Sequence, residues 1–410
     1  MSEKNCTSTE RVWAPRGRIF DRNEKVLVSN RMVYGVNLEP YELRQEELRN
    51  LVNNVSKISN ESYREIFARL HPQIYISEKP AAEDDSAGET GGEELERILT
   101  LVSSYYSEQG EKFSASSLKL DLLLYGLSQV LEVDYLELDQ MVDRDNMGLE
   151  PVRIYNHLSA KELVQIEAAL PYLPAVKVEK APMREYIYDT LAAHVLGYLG
   201  MMDEEDWSTF QDYGYNLNEL IGQMGLEREY ELELHPISGK KVVMVNSQGV
   251  QIGDESVKVL TEPQPGADLV LNLDYKLQKK AEELLAGQIK KIREAYLEDP
   301  EDIAGFPRGG AVVVLKPDSG QVLALASYPA FDPNVFIDMK RREERLQLFT
   351  NKYQPMINRA IFSPGSKGVE PGSIFKIVTA TAALEELGIT LNTIVNDRAG
   401  QKVYYDPERP

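Results

Sequence analysis

Cysteine is nearly absent: Cys6 is the only one in 410 residues. An intrachain disulfide is therefore impossible, and so is a zinc site of clustered thiolates. This does not assign a redox compartment, because exported bacterial proteins often do without disulfides. Long apolar runs are lacking as well. Nowhere do about 18 consecutive apolar residues occur, the length that reads as a membrane span, and the opening MSEKNCTSTERVW holds no signal-peptide core. As written, the chain neither spans a membrane nor carries its own export signal; a longer parent chain is a separate matter. Positive charge is also short, with 45 Lys and Arg against 66 Asp and Glu and a net charge of -21. That argues against nucleic acid as a partner, since phosphate backbones demand a basic face, and against unaided binding to anionic lipid.

What remains is a folded, globular composition, 42% hydrophobic and 27% charged. The length exceeds one ordinary core and predicts two or more domains. Residues 16–40 read as extended structure with a turn at Arg22-Asn-Glu-Lys. Leu48, Leu51, Val52, Val55 and Ile58 then share one helix face, and Asn60 is a good residue type to cap a second helix. The tract from about 78 to 96 turns to Glu, Asp, Gly, Ala and Ser and reads as an acidic mobile insertion. Residues 113–145 return to helical patterning around Leu118, Leu122, Leu127, Val130 and Leu131, and two further helices are expected over Ala160–Ala169 and Leu191–Tyr198.

Pro and Gly punctuate 262–267, and the main domain boundary is placed there. Asp274 is positioned to cap a long helix with the stripe Leu277, Ala281, Leu284, Leu285, Ile289 and Ile292. Next, Gly310–Lys316 and Gln321–Tyr328 flank Pro317-Asp-Ser-Gly320, an antiparallel hairpin signal. Their nearly continuous apolar character suggests strands covered on both faces. Finally Pro371-Gly-Ser373 opens a helix through Ile377, Ala380, Ala383 and Leu384, stopped by Gly388.

Ser373-Ile-Phe-Lys376 is a Ser-x-x-Lys whose two side chains share a helix face. A serine hydroxyl needs a base to take its proton, and a lysine of lowered pKa can serve. In the first helical turn the dipole also favours developing negative charge. The spacing alone is weak, because Ser116/Lys119 and Ser238/Lys241 share it. Those two pairs read as solvent-facing residues.

Context separates the third pair. Asn358-Arg-Ala360 and Glu370-Pro-Gly-Ser-Ile-Phe-Lys376 resemble the N-R-A and P-G-S-T-F-K of penicillin-binding proteins, with Ile374 where Thr is usual. Arg16-Gly-Arg-Ile-Phe-Asp-Arg-Asn23 resembles the class B opening R-G-x-I-x-D-R-N-G, with Glu24 in place of the glycine. Leu191–Gly200, Ile221–Tyr230, Val245–Gly249 and Gly266–Asp274 continue the match in family order, and so do Gly310–Leu315 and Leu323–Asn334. The acidic tract and residues 100–145 fall outside these blocks and look like insertions. The combination is most similar to the elongation-type branch of class B.

The resemblance implies an α+β chain in two parts. Residues 1–264 would form an elongated pedestal, or dimerisation, module that docks cell-wall elongation proteins. Residues 265–410 would begin a transpeptidase domain, an antiparallel sheet with helices on its faces. It further implies Ser373 as the acylating nucleophile and Lys376 as its general base, acting on D-Ala-D-Ala stem peptides and acylated by β-lactams, with no metal or cofactor. The parent would be membrane-anchored, with its domains on the extracytoplasmic side.

The family's Ser-x-Asn and Lys-Thr/Ser-Gly motifs follow the nucleophile, and neither occurs here: no serine follows Ser373, and Lys402 is followed by Val-Tyr. The expectation is an amino-terminal fragment that is inactive alone. A noncatalytic interaction module is the alternative. A β-lactamase or β-lactam sensor is disfavoured, because those families lack the R-G-x-I-x-D-R-N block.

Among other candidates, His194 reads as a packed histidine and Arg16, Arg18 and Arg22 as structural ion-pair or hydrogen-bond formers. Glu227 and Glu231 have helical spacing without a histidine cluster beside them. The mixed run Lys340–Arg345 reads as solvent-facing.

Overall fold

A computed structural model describes residues 6–77, 91–108, 114–140, 142, 151–213, 215, 219–245, 258–297, 308–362, 372–386, 388–390 and 392–394. The chain divides into two compact units, Met1–Ala360 and Ile361–Pro410.

The first unit opens with strands β1 (Cys6–Val12), β2 (Ile19–Phe20) and β3 (Val26–Leu38). Seven helices follow: α1 (Pro40–Gln45), α2 (Leu48–Ser59), α3 (Tyr63–Leu70), α4 (Pro72–Ser77), α5 (Gly91–Glu108), α6 (Ala115–Leu131) and α7 (Tyr135–Gln140). The chain returns through β4 (Val152–Tyr155), α8 (Ala160–Ala169) and β5 (Val176–Tyr186). Short elements come next: α9 (Ala193–Leu196), β6 (Leu199–Met201), α10 (Glu204–Phe210), β7 (Leu220–Gly222), α11 (Gly225–Glu229) and α12 (Glu231–Leu234). Then come β8 (Gly239–Val245), β9 (Lys258–Thr261), β10 (Leu269–Val270), α13 (Tyr275–Leu297), β11 (Gly310–Lys316), β12 (Gln321–Tyr328) and α14 (Arg342–Thr350).

The long strand β3 organises the pairing. It takes β5 along its length, from Val28↔Tyr186 to Leu38↔Val176. Its other edge holds β2 at one end and β4 at the other. β10 adds to β2 in parallel. The segment at the expected boundary is thus hydrogen-bonded back into the amino-terminal sheet: Gly266 N–H donates to the Pro15 carbonyl, and Ala267 N–H to that of Glu233. β1, β8 and β9 form a separate antiparallel sheet.

Most of the helical segment packs into one core, in which Leu51, Val55, Phe67, Leu122, Leu124 and Leu127 are fully buried together with Ile154 and Ile166. Two expectations change here. Asn60 does not open α3; it closes α2 in the left-handed region (φ 58°), and Ser62 caps α3 through a reciprocal box with Glu65. Of the acidic tract, residues 78–90 lie outside the described residues, and 91–96 already belong to α5. The reason is a new apolar stripe, Leu95, Ile98 and Val102, which buries against the helical core.

Asp274 caps α13 as expected, its Oδ1 accepting from Lys276 N–H (3.0 Å) and Leu277 N–H (3.1 Å). α13 lays Ala281, Leu285 and Ile289 on Ala324 and Ala326 of the β11–β12 hairpin. Leu284 is 60% exposed, one position off that stripe. Cover on both faces of the hairpin is not observed among the described residues: Val313 and Leu315 stand exposed, because α13 packs against one face only. No helix among the described residues is long and apolar enough to cross a membrane.

In the second unit, a 3-10 turn (Gly372–Phe375) runs directly into α15 (Lys376–Glu386), and Gly388 adopts φ 63° just past the helix end.

Candidate active site

Ser373 stands in the 3-10 turn and Lys376 is the first residue of α15, both exposed. Lys376 thus follows the turn directly, three positions on from Ser373. Gly372, one residue ahead, takes φ 53°, a left-handed conformation at which an L side chain is strained.

In the first unit, the chain that runs on toward this turn passes through a loop built around Arg359. The guanidinium donates to the carbonyls of Gln354 (3.1 Å), Ile357 (3.3 Å) and Tyr353. The Arg359 N–H donates to Ser327 Oγ (3.0 Å), and that hydroxyl donates to the Ile357 carbonyl (3.1 Å), tying the loop to β12. Burial, with Arg293 nearby, lowers the pKa of Arg359.

His194 meets the same loop. Its Nε2 lies 2.7 Å from the Pro355 carbonyl, and Asn358 Nδ2 donates back to the His194 carbonyl at 3.3 Å. The ring stands edge-on to Phe331, and Tyr198 stacks on Phe336 at 3.8 Å. Burial pulls the His194 pKa down to about 4. The imidazole is therefore neutral near pH 7, and facing a carbonyl oxygen it must carry its proton on Nε2. The reading of a packed histidine thus holds, and the chain brings the 191–200 block against the 353–360 loop.

Arg16, Glu227 and Glu231 belong to a buried ionic cluster. Arg16 pairs with Glu227 (2.8 Å) and Glu231 (2.6 Å), and Arg184 pairs with Glu227 (2.7 Å). Tyr186 and Tyr215 donate to Glu227 and Glu231, as does Gly222 N–H to Glu231. Burial opposes charge on Glu227, yet Arg184 and Arg16 outweigh it and hold its pKa below the ordinary value. Arg18 makes an exposed pair with Asp268 (2.7 Å), and Arg22 N–H donates to the Leu273 carbonyl. Arg184 was not singled out from sequence; it sits in a strand of mixed polarity, and only pairing with β3 brings it beside Arg16.

The run Lys340–Arg345 faces solvent at Lys340, Glu343 and Glu344, as expected, but its cations also find partners. Lys340 reaches Glu162 on α8, Arg342 reaches Glu137 on α7 (3.3 Å), and Arg341 pairs with Asp332 (2.5 Å). Mixed charge here is matched to acids on neighbouring elements, although Lys340 keeps partial access to solvent. The other Ser-x-x-Lys pairs play structural parts. Lys119 donates to the Arg44 carbonyl, and Lys241 lies in β8 opposite Glu10.

Two family models match this chain: the penicillin-binding protein dimerisation domain over residues 11–271, and the penicillin-binding protein transpeptidase domain over 310–407. The chain is 34% identical over 231 residues to the peptidoglycan D,D-transpeptidase MrdA of Escherichia coli, covering 55% of this chain and 32% of that protein. It is 29% identical over 281 residues to MrdA of Acinetobacter baumannii, covering 68% of this chain and 38% of the relative. The matched part thus spans about a third of the length of these relatives. Among solved structures, the complex between penicillin-binding protein PBP2 and MreC from Helicobacter pylori shares the fold, with a TM-score of 0.54 at 22% identity over 95% of this chain and 54% of that one.

Proposed function

The chain belongs to the class B penicillin-binding proteins, in their elongation-type branch, and from that premise we propose that it carries the acylating serine of a peptidoglycan D,D-transpeptidase. Ser373 is the nucleophile and Lys376 its base. The observation that carries this reading is their placement: a hydroxyl in the turn that feeds α15, an amine one turn on, within the segment matched by the transpeptidase family model.

In the proposed acylation, Lys376 accepts the Ser373 Oγ proton as Oγ attacks the carbonyl carbon of the penultimate D-Ala in a stem peptide. The C–N bond to the terminal D-Ala breaks, and the leaving amine takes up the proton. The amine of a neighbouring stem then attacks the ester, Ser373 Oγ leaves and is reprotonated, and the new amide is the cross-link. A β-lactam acylates the same oxygen when its ring amide opens. No step requires a metal or cofactor.

Residues 1–264 serve in this proposal as a pedestal on the outer side of the cytoplasmic membrane, and residues from 265 onward begin the transpeptidase domain. Cell-wall elongation proteins are the partners it implies; the solved PBP2 neighbour is itself a complex with MreC. The test is labelling of the full-length gene product with a fluorescent penicillin. A covalent band lost in Ser373→Ala supports the reading. A folded protein that takes no label, or labels equally in the variant, leaves only the interaction module.

A further inference from the structure

His71 stands where α3, α4, α5 and α6 meet. It closes α3, its N–H donating to the Phe67 carbonyl (2.8 Å), and its own carbonyl accepts from Ile74 N–H of α4 (3.0 Å). The residue is 5% exposed. Its ring meets Tyr106 of α5 edge-on, with centroids 6.0 Å apart, and Phe67 of its own helix at 6.4 Å. Nδ1 lies 3.4 Å from Tyr106 OH, and Nε2 is buried with no hydrogen-bond partner among the described residues.

A single proton changes how this ring fits. In the neutral imidazole one nitrogen donates and the other accepts, and Tyr106 OH can meet Nδ1 in either role. In the imidazolium both nitrogens donate, and Nε2 becomes a charged donor without an acceptor. The acid that acts on the ring is Asp121 of α6, itself buried, whose Oδ1 already accepts from Tyr135 OH of α7 (2.8 Å). Burial outweighs the pull of Asp121 and holds the His71 pKa below its ordinary value of 6.5.

The layer beyond this ring is lightly held. Among the described side chains, α4 gives the helical core Ile74 and α5 gives it Leu95, Ile98 and Val102, whereas α6 gives it seven leucines. Elements with few buried apolar contacts open at a lower free energy than the whole fold. We propose that His71 is a proton-operated catch on this layer: protonation of its ring releases α4 and α5 from α3 and α6 while the rest of the helical core stays closed. Opening wets the ring, so the open state takes up the proton that the closed state refuses, and acid shifts the balance toward it. Release exposes the stripe Leu95, Ile98 and Val102 to solvent.

Hydrogen exchange of the 410-residue chain tests this, followed peptide by peptide and corrected for the intrinsic pH dependence of exchange. It is run from about pH 8 to about pH 5, the range in which histidine titrates. The expected result for the wild type is that protection of α4 and α5 falls once the pH drops below 6.5, by up to about tenfold per pH unit. Protection of α6 and β3 does not follow it. His71→Phe keeps a ring of similar shape that cannot take a proton, and its α4 and α5 protection stays level over the same range. His71→Gln, neutral at every pH, takes its place if the Phe variant does not fold. Wild-type protection that falls no more than the variant's overturns the inference. So does a loss shared equally by α6 and β3, because acid would then act on the whole fold and not on this layer.

Discussion

Lys340 Nζ lies 2.8 Å from both carboxylate oxygens of Glu162, which precedes it by 178 residues. Glu162 also completes the capping box of α8 with Ser159 and accepts from Tyr155 OH. One carboxylate thus starts a helix, satisfies a buried phenol and receives a lysine from the segment that follows the hairpin. Burial raises its pKa, but Lys340 and Ser159 prevail and hold it below the ordinary carboxylate value.

The two ends of this pair should behave unequally. Lys340→Ala removes a half-exposed cation and is expected to cost about 1 kcal/mol or less. Glu162→Ala also removes the cap and leaves Tyr155 OH without its acceptor, so about 2–3 kcal/mol is expected. Urea unfolding of both variants and the double variant checks this; strict additivity would show that the pair is not coupled.

Glu227 is the acid between two buried arginines; its loss takes away the carboxylate that Arg184 pairs with, while Arg16 keeps Glu231. Glu227→Ala is expected to destabilise by about 3–5 kcal/mol, far beyond a surface substitution. Chemical denaturation reads this directly. A cost under about 1 kcal/mol would mean that the cluster contributes no more than an exposed pair.

His194 also gives a pH signature. Its folded value of about 4 lies below the ordinary 6.5, so between those values the unfolded chain binds the proton and the folded one does not. Stability from this group is full above 6.5 and is lost as pH falls through 4. Relative to His194→Gln, the wild type should lose on the order of 3 kcal/mol over that interval. Parallel stability–pH curves for the two proteins would contradict this.

Gly197 closes α9 at φ 84°, and a Cβ there would sit 1.6 Å from the Met224 carbonyl oxygen. Gly225 faces it at φ 63°, with its own Cβ position 2.5 Å from the Val195 oxygen. Gly197→Ala should therefore cost about 2 kcal/mol or more, because both the backbone and the close approach forbid a side chain. Thermal unfolding measures it; a shift of less than a degree would show that the two segments part easily.

Much of this architecture can be read locally. The hairpin at 310–328, the α13 cap at Asp274, the α2 stripe and the span of α8 follow from turn chemistry, caps and periodicity within a few residues. What cannot be read so is pairing between distant charges. Arg184, Glu162 and Lys340 look like ordinary polar residues in sequence, and only the path of β3 and β5 and the return after β12 bring them to their partners. Asn60 shows a subtler ambiguity, since a residue type that caps a helix start also tolerates the left-handed turn that ends one. Composition misplaced the start of α5, because the Leu95 stripe begins inside an acidic tract. Ser373 and Lys376 are singled out by their flanking blocks and not by their spacing, which two other serine–lysine pairs share.

The central claim is tested most directly by peptide mass analysis after benzylpenicillin treatment of the full-length gene product. Trypsin releases Gly368–Lys376, in which Ser373 is the only serine. The account predicts that this peptide carries the mass of one opened penicillin, and that Ser373→Ala abolishes the adduct. An unmodified Gly368–Lys376 peptide from folded, penicillin-treated protein, or an adduct on any other peptide, would contradict it.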